Sequence, residues 1–312
     1  MRVVVTGGAG FIGSNLVEVL SGDNEVIVVD DLSTGDIRNI QCVEGDVTFV
    51  RGSVTDLNLL MRVFEDVDYV FHLAAIASVP GSIRDPIIYN DVNVKGTLNV
   101  LMAARDCGVE KVVYASSSAV YGNTPELPKR EDMLPDPLSP YAVTKLVGEY
   151  YCNVFNEVYG LKTVSLRYFN VYGPRQNPHS EYAAVIPKFI KRVLSGKPPV
   201  IYGDGEQTRD FIFVRDVVNA TILAAKSNAE GVYNIATGRK TSINDLAHMI
   251  MKLIDSNNPL KPVYDAPRAG DVRHSFGDIS KARRDMGYEP RYSLEEGLME
   301  TISAWRTDES MR

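Results

Sequence analysis

Thr6-Gly7-Gly8-Ala9-Gly10-Phe11-Ile12-Gly13 follows directly on the apolar run Val3-Val4-Val5 and leads into residues 11–20, which have helical spacing. The octapeptide satisfies GxxGxxG through Gly7, Gly10 and Gly13, and GxGxxG through Gly8, Gly10 and Gly13. Glycines at such a strand-to-helix junction let the chain turn tightly, let backbone N–H groups approach a pyrophosphate and seat the helix against the sheet. A glycine pattern alone is weak, and its context gives it weight. The next apolar run, Val26-Ile27-Val28-Val29, ends in Asp30 about twenty residues on, where a carboxylate can accept hydrogen bonds from an adenosine ribose.

Outward from this unit, short β-branched runs alternate with helical stretches: 2–6, 11–20, 25–30, 49–51, 57–64 and 69–73. Such alternation predicts right-handed crossovers and an α/β fold with a doubly wound parallel sheet. The runs around Val4 and Ile27 are apolar throughout, as strands buried on both faces should be. A helix is expected over 92–107, closed by Gly108, then a strand over 111–116. A polar loop over 123–140 with five prolines is long enough to carry function. A helix over 141–159 and a strand over 163–168 follow. Beyond Gly173 the alternation loosens, with helices expected over 185–194, 216–225, 243–254 and 294–305 and strands over 200–202, 211–214 and 232–235. The expected organisation is a dinucleotide-binding domain over 1–172, with an interleaved return near 210–240, and a smaller mixed α/β domain over 173–312.

The 312 residues are 45% apolar and 23% charged, the proportions of a globular protein. With 33 basic and 40 acidic side chains the net charge is -7, the wrong sign for holding nucleic acid or anionic lipid through a broad basic field. A phosphate ligand must be held locally. No apolar run is long enough for a membrane span and no signal-peptide pattern opens the chain, so neither nucleic acid nor membrane is an expected partner and a cytoplasmic location is expected. Cys42, Cys107 and Cys152 are widely spaced and do not cluster with the four histidines, so no disulfide and no metal site is expected.

Asp30, reinforced by Asp31, would place negative charge against a 2′-phosphate and so favours NAD over NADP; Arg38 keeps the second alternative open. Tyr141 and Lys145 lie four apart and share one helix face. That spacing is common by chance. Its context is the run Ser116-Ser117-Ser118, which puts hydroxyls at the carboxyl edge of a parallel strand, where open α/β sheets bind ligands. A phenol with pKa near 10 needs about 4 kcal/mol of anion stabilisation to act as a base at neutral pH. One cation at about 4 Å, at an effective dielectric near 20, supplies about that much. Lys145 and an oxidised nicotinamide are the candidates. His72, inside an apolar strand, reads as a packed core group rather than a catalyst.

With these motifs the chain resembles the extended short-chain dehydrogenase/reductases and, within them, the nucleotide-sugar 4-epimerases. The resemblance spans nearly the whole chain: residues 6–13, Phe71-His72-Leu73-Ala74-Ala75, Asn93 within 91–97, residues 115–122, Tyr141-Ala-Val-Thr-Lys145, residues 166–175, 202–210 and 267–275. It implies a Rossmann-type NAD domain and a UDP-sugar domain. Tyr141 would be the base, Lys145 would lower its pKa and hold the nicotinamide ribose, and Ser117 would bond the sugar 4-hydroxyl. For the cofactor it implies Gly7, Gly10, Phe11, Ile12 and Gly13, then Asp30, Asp31, Ser53 and Val54. Leu73, Ala74, Ala75, Asn93 and Tyr168 would complete that site. Asn93 could equally tie loop to helix, and Ser53 stands where many relatives carry an aspartate for the adenine amine. For the substrate it implies Ser78, Ser118, Val185 and Tyr202, with Asn170, Arg209 and Arg268 meeting the diphosphate. Asp271 and Ser275 follow in the same motif.

The implied reaction is epimerisation at C4 of a UDP-hexose through a 4-keto sugar. Related dehydratases carry two carboxyls after the catalytic hydroxyl, where this chain has Ser118 and Ala119; elimination would have no obvious proton carrier. Ser275 falls at a family position that gates the sugar's C2 substituent, and a small residue there admits N-acetyl groups. UDP-N-acetylglucosamine and UDP-N-acetylgalactosamine are therefore the expected pair, with UDP-glucose and UDP-galactose as further substrates. The alternatives are a UDP-glucuronate 4-epimerase, a dehydratase, or a non-catalytic NAD-binding regulator. The resemblance also favours a homodimer formed by the helices over 94–104 and 143–154 as a four-helix seam.

Overall fold

The computed structural model describes residues 1–41, 43–177, 184–255, 260–267 and 272–307. Along the chain the strands are β1 (Arg2–Thr6), β2 (Glu25–Asp30), β3 (Val47–Arg51), β4 (Tyr69–His72), β5 (Lys111–Ser117), β6 (Lys162–Tyr168), β7 (Asn170–Tyr172), β8 (Val200–Tyr202), β9 (Thr208–Arg209), β10 (Phe211–Phe213), β11 (Gly231–Ile235), β12 (Thr241–Ser242) and β13 (Val263–Asp265). The α-helices are α1 (Phe11–Leu20), α2 (Arg38–Gln41), α3 (Leu57–Val63), α4 (Val79–Arg84), α5 (Pro86–Tyr89), α6 (Gly96–Asp106), α7 (Pro140–Tyr159), α8 (Val185–Leu194), α9 (Val214–Lys226), α10 (Ile243–Ile254), α11 (Ser280–Met286) and α12 (Leu294–Thr307).

Seven strands form one parallel sheet in the order β3-β2-β1-β4-β5-β6-β11. The expected doubly wound α/β architecture is thus present. Its strands carry unbroken apolar runs because both faces are covered. On one face Leu16, Val17 and Leu20 of α1 pack with Val217, Val218 and Ala224 of α9. On the other, Leu60 of α3, Val100 and Leu101 of α6 and Phe155 of α7 close the core. A third apolar cluster joins α8, α10 and α12 around Ile190, Leu246, Ile250 and Trp305, outside the main sheet. The last strand, β11, comes from the second half of the chain and pairs with β6.

The strand order reverses between β1 and β4, which are paired through Thr6 and His72 at their carboxyl ends. Such a switch point opens a crevice at the strand ends. Long α7 is started by Ser139, whose Oγ accepts the Ala142 N–H at 3.1 Å, with Pro140 in the first turn. It stops at Gly160, which takes φ 70 in the left-handed region.

The single helix expected over 92–107 is instead a π-helical turn, Asn90–Lys95, followed by α6. The cause is tertiary. Asn93 Oδ1 accepts the Ile76 N–H at 2.9 Å, while its Nδ2 donates to Ile76 O at 3.1 Å and to Thr144 Oγ1 at 3.0 Å. Pinning that side chain to a loop and to α7 accompanies the locally widened coil, which often marks a functional region.

Candidate active site

The glycine loop is fixed by close backbone contact. A Cβ on Gly13 would lie 2.1 Å from Gly7 O, and one on Gly7 would lie 2.7 Å from Ala74 N. At Gly10 the same atom would meet only Gly7 O, at 3.2 Å, so this glycine leaves the mouth of the loop open. Gly10 is also the N-cap of α1, with no side-chain cap and no acidic residue in the first turn. The leading N–H groups, from Phe11, Ile12 and Gly13, thus form a positive helix end suited to a pyrophosphate.

At the end of β2, Asp30 is buried and accepts the Ala9 N–H at 3.0 Å and the Leu32 N–H at 2.9 Å. Burial raises its pKa while those two bonds oppose the rise. Asp31 is exposed and accepts the Ser33 N–H at 2.8 Å. Arg38 is ion-paired with Asp36, its Nε 2.9 Å from Asp36 Oδ2. Two acids at the ribose position and an arginine already engaged by a carboxylate fit NAD better than NADP.

The chain after β4 packs on the loop: Leu73 N–H donates to Thr6 O at 3.1 Å and Ala74 N–H to Thr6 Oγ1 at 3.3 Å, with Ala75 following, half-buried. Ser53 Oγ accepts from the Thr55 hydroxyl at 2.9 Å, and Val54 is buried against Gly96. Tyr168 is packed in the α9-side core, its phenol 2.7 Å from Thr221 Oγ1. His72 is buried between Thr6 Oγ1 at 2.8 Å and Thr97 Oγ1 at 2.9 Å, and burial holds its pKa at about 3. It is a neutral core group, as its apolar strand predicts.

Ser117 ends β5. Its Oγ accepts the Ala119 N–H at 3.2 Å, starting the short 3₁₀ turn Ser118–Tyr121, and its hydroxyl acts to lower the pKa of Tyr141. Two of the three proposed catalytic groups thus influence one another. The third, Lys145, is buried one turn along α7 and donates from Nζ to Ala115 O at 2.8 Å. Burial lowers its pKa to about 8, against the pull of Cys152 and Glu149. Tyr141 has its own pKa raised by burial, with the Ser117 bond as the opposing influence.

Behind the catalytic strand, Glu149 accepts from Arg167 at 2.9 Å (Nε) and 2.7 Å (Nη2) and takes a short hydrogen bond from Ser116. The Arg167 guanidinium stacks 4.6 Å from the Tyr121 ring. Tyr141, Lys145 and Glu149 lie at successive four-residue steps on α7, so this fully buried pair clamps the catalytic face of the helix to β5 and β6.

A separate cavity of about 380 Å³ opens between α8 and β7–β10. It gathers Asn170, Val185, Tyr202 and Arg209, four of the residues proposed for the substrate. Ser78 instead caps α4, accepting the Gly81 N–H at 3.0 Å; Ser118 opens the 3₁₀ turn; the Ser275 N–H donates to Thr208 O at 3.1 Å, beside Arg209. Arg268 and Asp271 lie outside the described residues. The sequence reading did not select Lys188, Phe189, Gln207 and Phe211, which also line the cavity. Val185, Lys188 and Phe189 share one face of α8 at helical spacing, the signal from which the last two could have been found. Gln207 donates from Nε2 to Tyr202 O at 2.8 Å.

A switch-point glycine loop, an acid at the end of the second strand and a Ser-Tyr-Lys set define a dinucleotide-dependent enzyme of the hydride-transfer kind. Residues 3–236 match the NAD dependent epimerase/dehydratase family, and the chain belongs to it. It is 41% identical over 313 residues to the UDP-glucose 4-epimerase of Mycolicibacterium smegmatis, covering 98% of this chain and 99% of that one. Among solved structures it resembles UDP-N-acetylglucosamine 4-epimerase from Methanobrevibacter ruminantium, in complex with UDP-N-acetylmuramic acid, at a TM-score of 0.94, 44% identity and 98% coverage of both chains. It also resembles Thermus thermophilus UDP-glucose 4-epimerase in complex with NAD, at a TM-score of 0.88, 40% identity and coverage of 98% and 99%.

Proposed function

We propose that this NAD-dependent UDP-sugar 4-epimerase interconverts UDP-N-acetylglucosamine and UDP-N-acetylgalactosamine by preference, and UDP-glucose and UDP-galactose as well. The observation that carries the chemistry is Ser117 set where it favours ionisation of Tyr141, with Lys145 on the same helix, followed by Ser118 and Ala119 rather than an acid pair. What bound NAD supplies is reversible acceptance of a hydride. The residues that would hold it are Gly7, Gly10, Gly13 and Asp30, with Lys145 at the nicotinamide ribose. Tyr141 takes the C4 hydroxyl proton as the 4-keto sugar forms and returns it when the opposite face is reduced. Ser117 orients that hydroxyl. Since burial raises the phenol, its anion needs positive charge beside it, which Lys145 and, when bound, oxidised NAD would supply.

Asn170 and Arg209, in the 380 Å³ cavity, would hold the nucleotide diphosphate. The substrate preference rests on Ser275, a small side chain beside Arg209, at the position proposed to gate the C2 substituent. The division into 1–172 and 173–312, with a return near 210–240, accompanies this reading. So does a homodimer: Val143, Tyr150, Val154 and Val158 form an exposed apolar stripe along α7, 44–66% accessible, suited to pairing with a second copy.

Turnover of the NAD-loaded protein on both sugar pairs, followed to equilibrium, tests the preference. Activity confined to the plain hexoses removes it, and activity on UDP-glucuronate alone favours that alternative. Tyr141→Phe is expected to lower turnover by about 10²–10⁴-fold with NAD retained. If the intact protein binds UDP-sugar without turnover, the regulator reading wins.

A further inference from the structure

Asp210 joins β9 to β10 and has no exposed surface. Its Oδ1 accepts the Thr237 N–H at 2.8 Å and the Thr237 hydroxyl at 2.6 Å. Its Oδ2 accepts the Gly238 N–H at 3.0 Å and the Gly277 N–H at 3.3 Å. Its main-chain carbonyl accepts from Asn170 twice, from the backbone N at 3.1 Å and from Nδ2 at 3.2 Å.

These bonds connect three of the segments proposed to touch the nucleotide sugar, those of Asn170, Arg209 and Ser275. Asn170 starts β7 and has its amide group oriented by the Asp210 carbonyl. Arg209 is the preceding residue. Gly277 lies two residues after Ser275, and its N–H reaches the carboxylate where a Cβ on Gly277 would sit 2.8 Å from the Phe169 ring. The segments come from distant parts of the sequence and are otherwise joined at their edges by strands of two or three residues. A carboxylate taken out of water is costly and persists where its donors repay it, which here come from two different segments.

We infer that Asp210 is a positioning residue that sets Asn170, Arg209 and the Ser275 segment in one mutual geometry for the UDP moiety. The inference rests on the UDP-sugar reading of the cavity.

Asp210→Asn keeps the shape but replaces one accepting oxygen with an NH₂ that faces N–H donors. In the NAD-loaded protein it should raise the dissociation constant for UDP and the KM for UDP-sugar by about tenfold or more, with kcat reduced by no more than about threefold. NAD content should stay unchanged. Thr237→Val removes the hydroxyl that donates to Asp210 and accepts the Arg239 N–H at 3.3 Å, and should raise both constants by about threefold, while Thr237→Ser should restore them. If Asp210→Asn does not fold, the Thr237 pair decides. Wild-type UDP affinity in folded Asp210→Asn, equal behaviour of Thr237→Val and Thr237→Ser, or a loss confined to kcat would overturn the inference. A wild-type protein that turns over sugar nucleotide yet does not bind UDP would do the same. Failure of the wild type to bind UDP or turn over any UDP-sugar would instead remove the ligand reading itself, and the inference with it.

Discussion

At His72 the balance between burial and charge can be read as a pH dependence. The folded chain holds the imidazole neutral down to about 3, whereas the unfolded chain protonates it near 6.5. Between those values the unfolded state binds the extra proton, so this residue's contribution to stability is present above the window and lost as pH falls through it. His72→Gln should flatten the acid limb by up to about 1.4 kcal/mol per pH unit, as measured by urea unfolding across that range. Glu149 represents the opposite kind of charge, paired and buried rather than suppressed. Removing one partner strands Arg167, so Glu149→Gln should cost about 3–5 kcal/mol in the same measurement. Arg130 and Asp132 also pair, at 3.1 Å, but in water with exposed side chains, and breaking that contact should cost about 0–1 kcal/mol. The desolvated partner left behind, rather than the distance between the charges, decides the difference.

At the level of elements, the starts of α1 and α7 carry different penalties. Gly13→Ala would push a methyl to within 2.1 Å of Gly7 O, so the first turn of α1 must shift and NAD should be lost on gel filtration. Ser139→Ala merely uncaps α7 and should cost about 1 kcal/mol with NAD retained. The main elements of the sheet were legible because their signals are local: unbroken apolar runs, a glycine loop, a glycine stop. Helices α4 and α5 were not legible, because Pro80, Gly81 and Pro86 read as breakers. The two helices form because Ser78 and Asp85 accept the N–H groups of Gly81 and Ile88. The π-helical turn was hidden for another reason, since its bonds from Asn93 lead to residues far along the chain. Strands β9 and β12, two residues each, are too short to show a period. The site divides in the same way. Gly7 to Gly13, Asp30, Ser117, Tyr141 and Lys145 could be read from adjoining sequence, whereas Lys188, Gln207 and Phe211 share a cavity only once α8 has packed over β8 and β10.

At the scale of the whole molecule, the apolar stripe of α7 offers a direct test of assembly. Replacing Tyr150 and Val154 together by glutamate places two charges on a surface that the proposed seam would dehydrate. Sedimentation should then find single copies where the parent forms pairs, with far-ultraviolet dichroism unchanged. The position of β11 has a consequence in time. Six strands of the sheet are complete by Tyr168, yet the partner of β6 is not synthesised until Gly231–Ile235. A nascent chain leaving the ribosome must therefore carry an unpaired edge, six of its seven residues destined for burial, while some sixty more are made. A fragment released at residue 172 should collect in inclusion bodies, and one extended through residue 236 should be rescued from them, so vectorial synthesis itself is the point at which this fold is most vulnerable to misassembly.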